Sequence, residues 1–256
     1  MDSTRFWSQK ENIEQIYTGK RNNPANERAM RQIASMGIPP GARVLDIGSG
    51  PGTLAIPLAK AGCAVTALEP SEAMRDALRR RLEDAGLEGM QVVAKRWEDI
   101  APGDLDPPYD AVIASFSLSI PDIRPALRTM HDVCRGTVYL FWFLTPPVWA
   151  RVMHDLWPKI HGSPHYYEPF ADILYMILLQ MGIYARMDPY AGHNTAHYAT
   201  IGDAVQDFSA RMNCTTNAQE RAIRQYMRAN LSPGENGFVI KGRSMDAKIW
   251  WEAGGA

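Results

Sequence analysis

Two acidic residues and a run of glycines are the groups most able to do chemistry in this chain of 256 residues. Asp46 lies near the end of a short apolar run, and Gly48, Gly50 and Gly52 follow it in the segment DIGSGPGT. Glycine adopts positive φ easily and lets the backbone approach a ligand where a Cβ would stand in the way. Glu69 ends a second apolar run about 20 residues later, where a carboxylate can bind the hydroxyls of a ribose. The pattern predicts a ligand containing a nucleoside above a strand, a tight turn and a helix.

Other ligands also use glycine loops, and two of them fit this sequence poorly. A Walker A loop ends in Gly-Lys-Ser/Thr, whereas Gly52 is followed by Thr53 and Leu54, so a triphosphate is disfavoured. A dinucleotide fingerprint reads G-x-G-x-x-G, and the spacing here is tighter. Taken singly, Asp46 could be only a turn former and Glu69 only a residue near a helix cap.

Three segments together resemble the class I S-adenosylmethionine-dependent methyltransferases. DIGSGPGT resembles motif I of that family, ALEPSEAM at 67–74 resembles its second motif, and Trp97-Glu98-Asp99 occupies the position of the segment that holds the adenine. The resemblance covers residues 40–143 well. It implies S-adenosylmethionine as cofactor and S-adenosylhomocysteine as product, with Asp46 helping to place the amino group, Glu69 on the ribose and Met74 against the adenine. The cofactor-binding residues that it implies are Tyr17, Asp46, Gly48, Ser49, Gly50, Gly52, Glu69, Pro70, Ser71, Met74, Trp97, Glu98, Asp99 and Ser115.

The composition of the chain disfavours several classes of binding partner. A net charge of −1 gives no electrostatic footprint for nucleic acid. The three cysteines, Cys63, Cys134 and Cys214, show no CxxC spacing, which disfavours a disulfide framework and fits a cytoplasmic protein. Apolar runs are too short for a membrane span. We therefore expect a small-molecule acceptor, and a homodimer remains open.

Apolar runs alternate with helical patterns from residue 41 onwards. This alternation predicts an α/β fold with a doubly wound, mostly parallel sheet of about seven strands, in which ligands bind beyond the carboxyl ends of the strands. We predict an N-terminal helical lid at 1–40, the cofactor-binding core at 41–144, a helical insertion capping the acceptor at 145–183, and the C-terminal part of the same sheet and its helices at 184–256. Asp106 to Tyr109 spells DPPY, but this segment precedes the fourth strand, so we interpret it as a turn and not as a motif for methylating amino groups.

The insertion carries the candidate catalytic residues His154, His161, His165 and Tyr166, any of which could accept a proton from a phenol or thiol. His161 and His165, and likewise His193 and His197, are spaced by four, but Gly162-Ser163-Pro164 prevents a regular helix through the first pair, so we predict no metal. The sequence thus predicts methyl transfer to a small molecule by in-line displacement. The alternatives are a subunit that binds the cofactor without catalysis and, less favoured, an NAD-linked oxidoreductase.

Overall fold

A computed structural model describes residues 24–192 and 195–254. Helices and strands alternate in its first part. The elements are α1 (Pro24–Met36), β1 (Arg43–Ile47), α2 (Ala55–Lys60), β2 (Ala64–Leu68), α3 (Glu72–Asp84), β3 (Gln91–Val93), a 3₁₀ turn (Trp97–Asp99), β4 (Tyr109–Ser115), α4 (Ile123–Asp132) and β5 (Cys134–Phe143).

The later elements are α5 (Val148–His161), α6 (Ala171–Gln180), β6 (Arg186–Ala191), β7 (Thr195–Tyr198), α7 (Ile201–Arg211), α8 (Asn217–Asn230), β8 (Ser232–Gly234), β9 (Gly237–Lys241) and β10 (Met245–Glu252). Polar side chains fix several helix starts. The Ser71 hydroxyl accepts the Met74 N–H at 3.3 Å at the start of α3, and Thr200 and Thr216 form capping boxes at the starts of α7 and α8.

Seven strands form the main sheet in the order β3-β2-β1-β4-β5-β10-β6. The pairs β1/β2, β1/β4, β2/β3 and β4/β5 are parallel. The central strands consist mostly of buried aliphatic residues, as expected for strands covered on both faces. The α/β, doubly wound, mostly parallel seven-stranded sheet predicted from the sequence is therefore confirmed.

The described residues form two compact units. The first consists of residues 24–142, Ile173–Asp188 and 248–254, and the second consists of Phe143–Asp172 and the described residues between Pro189 and Ala247. The second unit has its own antiparallel sheet in the order β7-β9-β8. Its core packs α5, α7 and α8 together through buried residues that include Leu156, Phe208 and Ile223.

Two boundaries differ from the sequence prediction. The predicted C-terminal part of the main sheet, 184–256, contributes only β6 and β10 to it, because β7, β8 and β9 pair with one another instead. The predicted insertion, 145–183, is divided between the units, with α5 in the second and α6, apart from its first two residues, in the first. The predicted lid falls mostly outside the described residues, since only α1 and the turn after it belong to them.

One helix is longer than its sequence suggests. Helix α5 continues to His161 with Pro158 inside it, although a proline within a helix usually kinks or ends it. A proline removes one backbone donor without forbidding the next turn. The helix ends at Gly162, whose left-handed conformation (φ 69°) confirms that a regular helix does not connect His161 and His165.

Candidate functional site

The strand register brings the predicted cofactor residues to one edge of the main sheet. Ile47, the last residue of β1, is level with Leu68 at the end of β2 and with Ala114 near the end of β4. The chain then continues into Gly48, Glu69 and Ser115 respectively. These three positions therefore lie side by side at the carboxyl edge, where open α/β sheets bind their ligands.

The three glycines of the loop all have positive φ, but for different reasons. A Cβ on Gly48 would lie 2.4 Å from the Cβ of Ser117, and one on Gly52 would lie 2.4 Å from a methyl carbon of Leu78. These two glycines are required for packing. A Cβ on Gly50 would meet no described atom within 4 Å, so only Gly50 (φ 55°) borders open space.

Glu69 connects the loop to the next helix. Its carboxylate accepts the Gly50 N–H at one oxygen and the Ser71 N–H at the other, both at 2.8 Å. Burial raises the pKa of Glu69, although these two backbone donors and the Arg75 guanidinium act in the opposite direction. Each oxygen retains a second acceptor position, which suits a ligand that donates two hydroxyl groups.

Asp46 is the second buried acid of the site, and it is 2% exposed. Burial, and then the neighbouring Glu69 carboxylate, raise the pKa of Asp46 to about 7, against the effect of the Ala55 N–H. Among the described residues, nothing donates to Asp46 Oδ2 or pairs with the buried Ser49 hydroxyl. An unsatisfied buried carboxylate is costly, so the site fits a ligand that brings a cation and hydrogen-bond donors.

This electrostatic arrangement gives a prediction for stability against pH. Burial raises the folded-state pKa of Asp46 from 3.8 to about 7. The proton on Asp46 therefore adds to the free energy of unfolding; this stabilisation is fully present below pH 3.8 and is lost as the pH rises through 7. Asp46→Asn removes the titrating charge. At pH 8 we expect the free energy of unfolding of the ligand-free variant to exceed that of the wild type by about 2 kcal/mol, with the difference shrinking by pH 5. Urea unfolding at both pH values measures it, and parallel pH profiles of the two proteins would contradict the assignment.

The remaining predicted cofactor residues differ in burial and in position. Pro70 and Ser71 follow Glu69 directly, and Met74 is buried on α3. The Trp97 indole is buried and donates to the Ala126 carbonyl at 3.0 Å, which ties it to α4. Glu98 and Asp99 are exposed in the 3₁₀ turn. Tyr17 lies outside the described residues.

The sequence interpretation missed several residues beside the loop. Ser117 donates to the Ile47 carbonyl at 2.6 Å and fills the space that a side chain at position 48 would need. Gln32 of α1, a buried polar residue, accepts from Ser115 at 3.1 Å. Arg81 donates to the Pro51 carbonyl at 2.7 Å, which holds the loop against α3. The two serines at the end of β4 were the available signal for this region, whereas no sequence pattern pairs Gln32 with Ser115.

The candidate catalytic residues lie in the second unit, in a cluster of histidine and aromatic rings. His154 stacks on Tyr167 with ring centroids 4.8 Å apart, and Trp157 lies between His161 and His165 at 4.2 and 5.3 Å. His161 Nε2 is 2.9 Å from the Met212 carbonyl, so this nitrogen carries the proton. Tyr166 is 82% exposed and stands apart from these stacked rings.

His165 has the protonation state that a general base needs. Burial, and then His154, lower the pKa of His165, which keeps its imidazole neutral near pH 7. Within the described part of the chain, its buried Nδ1 has no hydrogen-bond partner.

The other chemical groups singled out in the sequence are candidate metal ligands and the DPPY segment. The described residues contain no group of three or more His, Cys, Asp or Glu side chains arranged to hold an ion. DPPY lies at the start of β4, which begins at Tyr109, as the sequence predicts, and its Asp106 pairs with Arg43 at 2.9 Å.

Comparison with known proteins gives a match to one family. Residues 44–136, which contain the glycine loop, Glu69 and Trp97, match the methyltransferase domain family. This match and the seven-stranded fold support the resemblance to the class I S-adenosylmethionine-dependent methyltransferases that the sequence motifs predict.

Individual relatives are similar over different lengths. An uncharacterized protein from Haemophilus influenzae is 27% identical over 86% of this chain and 79% of its own length. A demethylmenaquinone methyltransferase from Clavibacter sepedonicus is 34% identical over 52% of this chain, which spans about half (56%) of that protein. The solved magnesium protoporphyrin IX methyltransferase from Synechocystis, with bound S-adenosylmethionine, is 15% identical with a TM-score of 0.53 and covers 97% of both chains, which shows a shared fold.

Among the described helices, none has the length and apolar character needed to cross a bilayer.

Proposed function

We propose that this protein transfers the methyl group of S-adenosylmethionine to a small-molecule acceptor by in-line displacement. The observation that carries the proposal is the pair of neighbouring buried carboxylates, Asp46 and Glu69, at the glycine loop in which Gly50 borders open space. A cofactor with an ammonium and a ribose diol matches these groups. The pyrophosphate of a dinucleotide would bring negative charge towards Asp46, which disfavours the NAD-linked alternative.

Each residue has a distinct part in this proposal. Asp46 would hold the ammonium of the cofactor, and its unpartnered Oδ2 is the atom available for it. Glu69 would accept the ribose hydroxyls while keeping its bonds to the Gly50 and Ser71 backbone. When bound, S-adenosylmethionine supplies an electrophilic methyl group on a sulfonium.

The protein's contribution to the reaction is chiefly orientation. Aligning two reactants can lower a barrier by about 7 to 11 kcal/mol. Where the acceptor is an anion, charge is lost as it meets the sulfonium, so a dry pocket favours the reaction. Where the acceptor begins as a phenol or thiol, His165 is the favoured candidate for the base because it is neutral near pH 7. Its neighbours His154 and His161 and the exposed Tyr166 remain candidates.

Calorimetric titration tests the proposal. We expect S-adenosylmethionine and S-adenosylhomocysteine to bind with micromolar dissociation constants and NADH not to bind. Below pH 7, the affinity for S-adenosylmethionine should fall by up to about tenfold per pH unit, because the ammonium favours ionised Asp46 and a bound proton must leave. Repeating the titration in buffers of different ionisation enthalpy measures that proton. NADH binding without binding of the other two ligands would overturn the proposal.

Binding alone does not distinguish an enzyme from a subunit that only holds the cofactor. Incubation with methyl-labelled S-adenosylmethionine and a panel of phenols, quinols, thiols and amines makes that distinction. Transfer of label to an acceptor supports the enzyme, whereas tight cofactor binding with no transfer to any acceptor, alone or with a cell extract, favours the non-catalytic alternative.

A further inference from the structure

The carboxyl end of β4 presents a cation beside the glycine loop. Phe116 follows β4 in a left-handed conformation, with φ 55°, and the guanidinium carbon of Arg28 lies 4.4 Å from the centre of its ring. A bulky residue at positive φ is strained, and such strain is commonly found at ligand sites. The next residue, Ser117, is the one that packs under Gly48, so the ring and its cation adjoin the proposed cofactor site.

Both partners are held in place by the fold. The Phe116 N–H donates to the Phe141 carbonyl at 2.9 Å. Helix α1, which carries Arg28, is fixed at its other end: Tyr139 donates to the Met36 carbonyl and Lys248 to the Ser35 carbonyl, both at 2.9 Å. In the middle of the helix, Gln32 accepts from Ser115. The guanidinium is therefore presented by a docked helix and not by a mobile tail.

The charge on Arg28 is not neutralised within the protein as described. Over residues 24–192 and 195–254, no carboxylate forms an ion pair with it. Stacking on a ring uses the face of a guanidinium and leaves the N–H donors at its edge available for an anion, which they can bind in a bidentate manner. The nearby acids of the cofactor site, Asp46 and Glu69, would repel an anionic acceptor, so such an acceptor needs a compensating cation at this edge.

We propose that Arg28, supported by Phe116, binds an anionic group of the acceptor, so that the substrates of this protein are small molecules carrying a carboxylate or a phosphate. The inference rests on the proposed methyl transfer, because it places the acceptor beside the cofactor loop. The two anions share the chemistry that a guanidinium recognises, and the experiment distinguishes them.

Fluorine NMR of small probes tests the inference on the full chain saturated with S-adenosylhomocysteine. The probes are 4-fluorobenzoate, 4-fluorophenyl phosphate and the uncharged 4-fluorobenzamide. We expect at least one anion to bind at least tenfold more tightly than the amide. We expect Arg28→Gln to remove that preference, Arg28→Lys to weaken it severalfold because the planar edge is lost, and Phe116→Leu to weaken it as well.

Arg31, exposed one turn further along α1, supplies the matched control. Arg31→Gln should leave the preference for the anion unchanged, and every variant should keep the wild-type affinity for S-adenosylhomocysteine. Equal binding of the acids and the amide, or a preference that survives Arg28→Gln, would overturn the inference while leaving the cofactor site intact. Failure of S-adenosylhomocysteine to bind the wild type would instead overturn the proposed function, and this inference with it.

Discussion

Gly50→Asn is expected to reduce the affinity for S-adenosylmethionine by at least a hundredfold while the protein remains folded. Position 50 borders open space, so a side chain there would project into the volume proposed for the cofactor and not into the protein. Asparagine is the non-glycine residue that best tolerates the left-handed conformation, so the backbone cost should be about 1 kcal/mol or less. Calorimetry gives the affinity, and thermal unfolding gives the stability.

Gly86 offers a matched control for that experiment. It has φ 62°, close to the 55° of Gly50, and a Cβ there also meets no described atom within 4 Å. Gly86→Asn should therefore cost the same small amount of stability and leave cofactor binding unchanged. Gly52→Ala is the opposite case, since its Cβ would collide with Leu78 and Ile56, and it should lower the melting temperature. Wild-type affinity in Gly50→Asn would show that the cofactor does not lie over this loop.

Glu69→Gln is expected to weaken cofactor binding by about 10- to 150-fold, which corresponds to about 1.5 to 3 kcal/mol for hydrogen bonds to a charged acceptor. The substitution removes the charge and replaces one acceptor oxygen with an amide that donates. That amide cannot pair with the Gly50 or Ser71 N–H that the carboxylate oxygen accepted. Calorimetry with S-adenosylmethionine measures the loss, and Glu72→Gln, on the exposed start of α3, is the control.

A ligand fragment separates the roles of the two acids. 5′-Methylthioadenosine contains the ribose but lacks the amino acid part of the cofactor. Glu69→Gln should weaken this fragment and the whole cofactor by similar factors, whereas Asp46→Asn should weaken only the whole cofactor. If Glu69→Gln left the affinity for the fragment unchanged, Glu69 would be a structural acceptor for the loop and not a ribose ligand.

The sequence predicted those features that depend on residues close together along the chain. Asp46, Gly48 and Glu69 lie within or directly after apolar runs, and parallel strands of similar length bring their carboxyl ends to one edge. The seven-stranded sheet and the single edge shared by the glycine loop, Glu69 and Ser115 followed from that periodicity. The placement of DPPY at the start of β4 followed from it as well.

The periodicity of apolar residues does not predict contacts between segments that are distant along the chain. The strands β7, β8 and β9 are short, and no sequence pattern shows that they pair with each other and not with the main sheet. The hydrogen bond that joins the Trp97 indole to the Ala126 carbonyl, 29 residues away, has no signal in the sequence either.

The sequence by itself therefore predicted the class of protein, because the cofactor motif is a local arrangement of strand, turn and acid. The tertiary structure decided what each residue does there. It distinguishes the two glycines packed against Ser117 and Leu78 from Gly50, which faces open space, and it buries Asp46 beside Glu69 so that the pKa of Asp46 rises to about 7. It also stacks Arg28 on Phe116, 88 positions further along the chain. These properties depend on the burial of side chains and on the distances between them. The tertiary fold determines both, and the order of residues in the sequence does not show them.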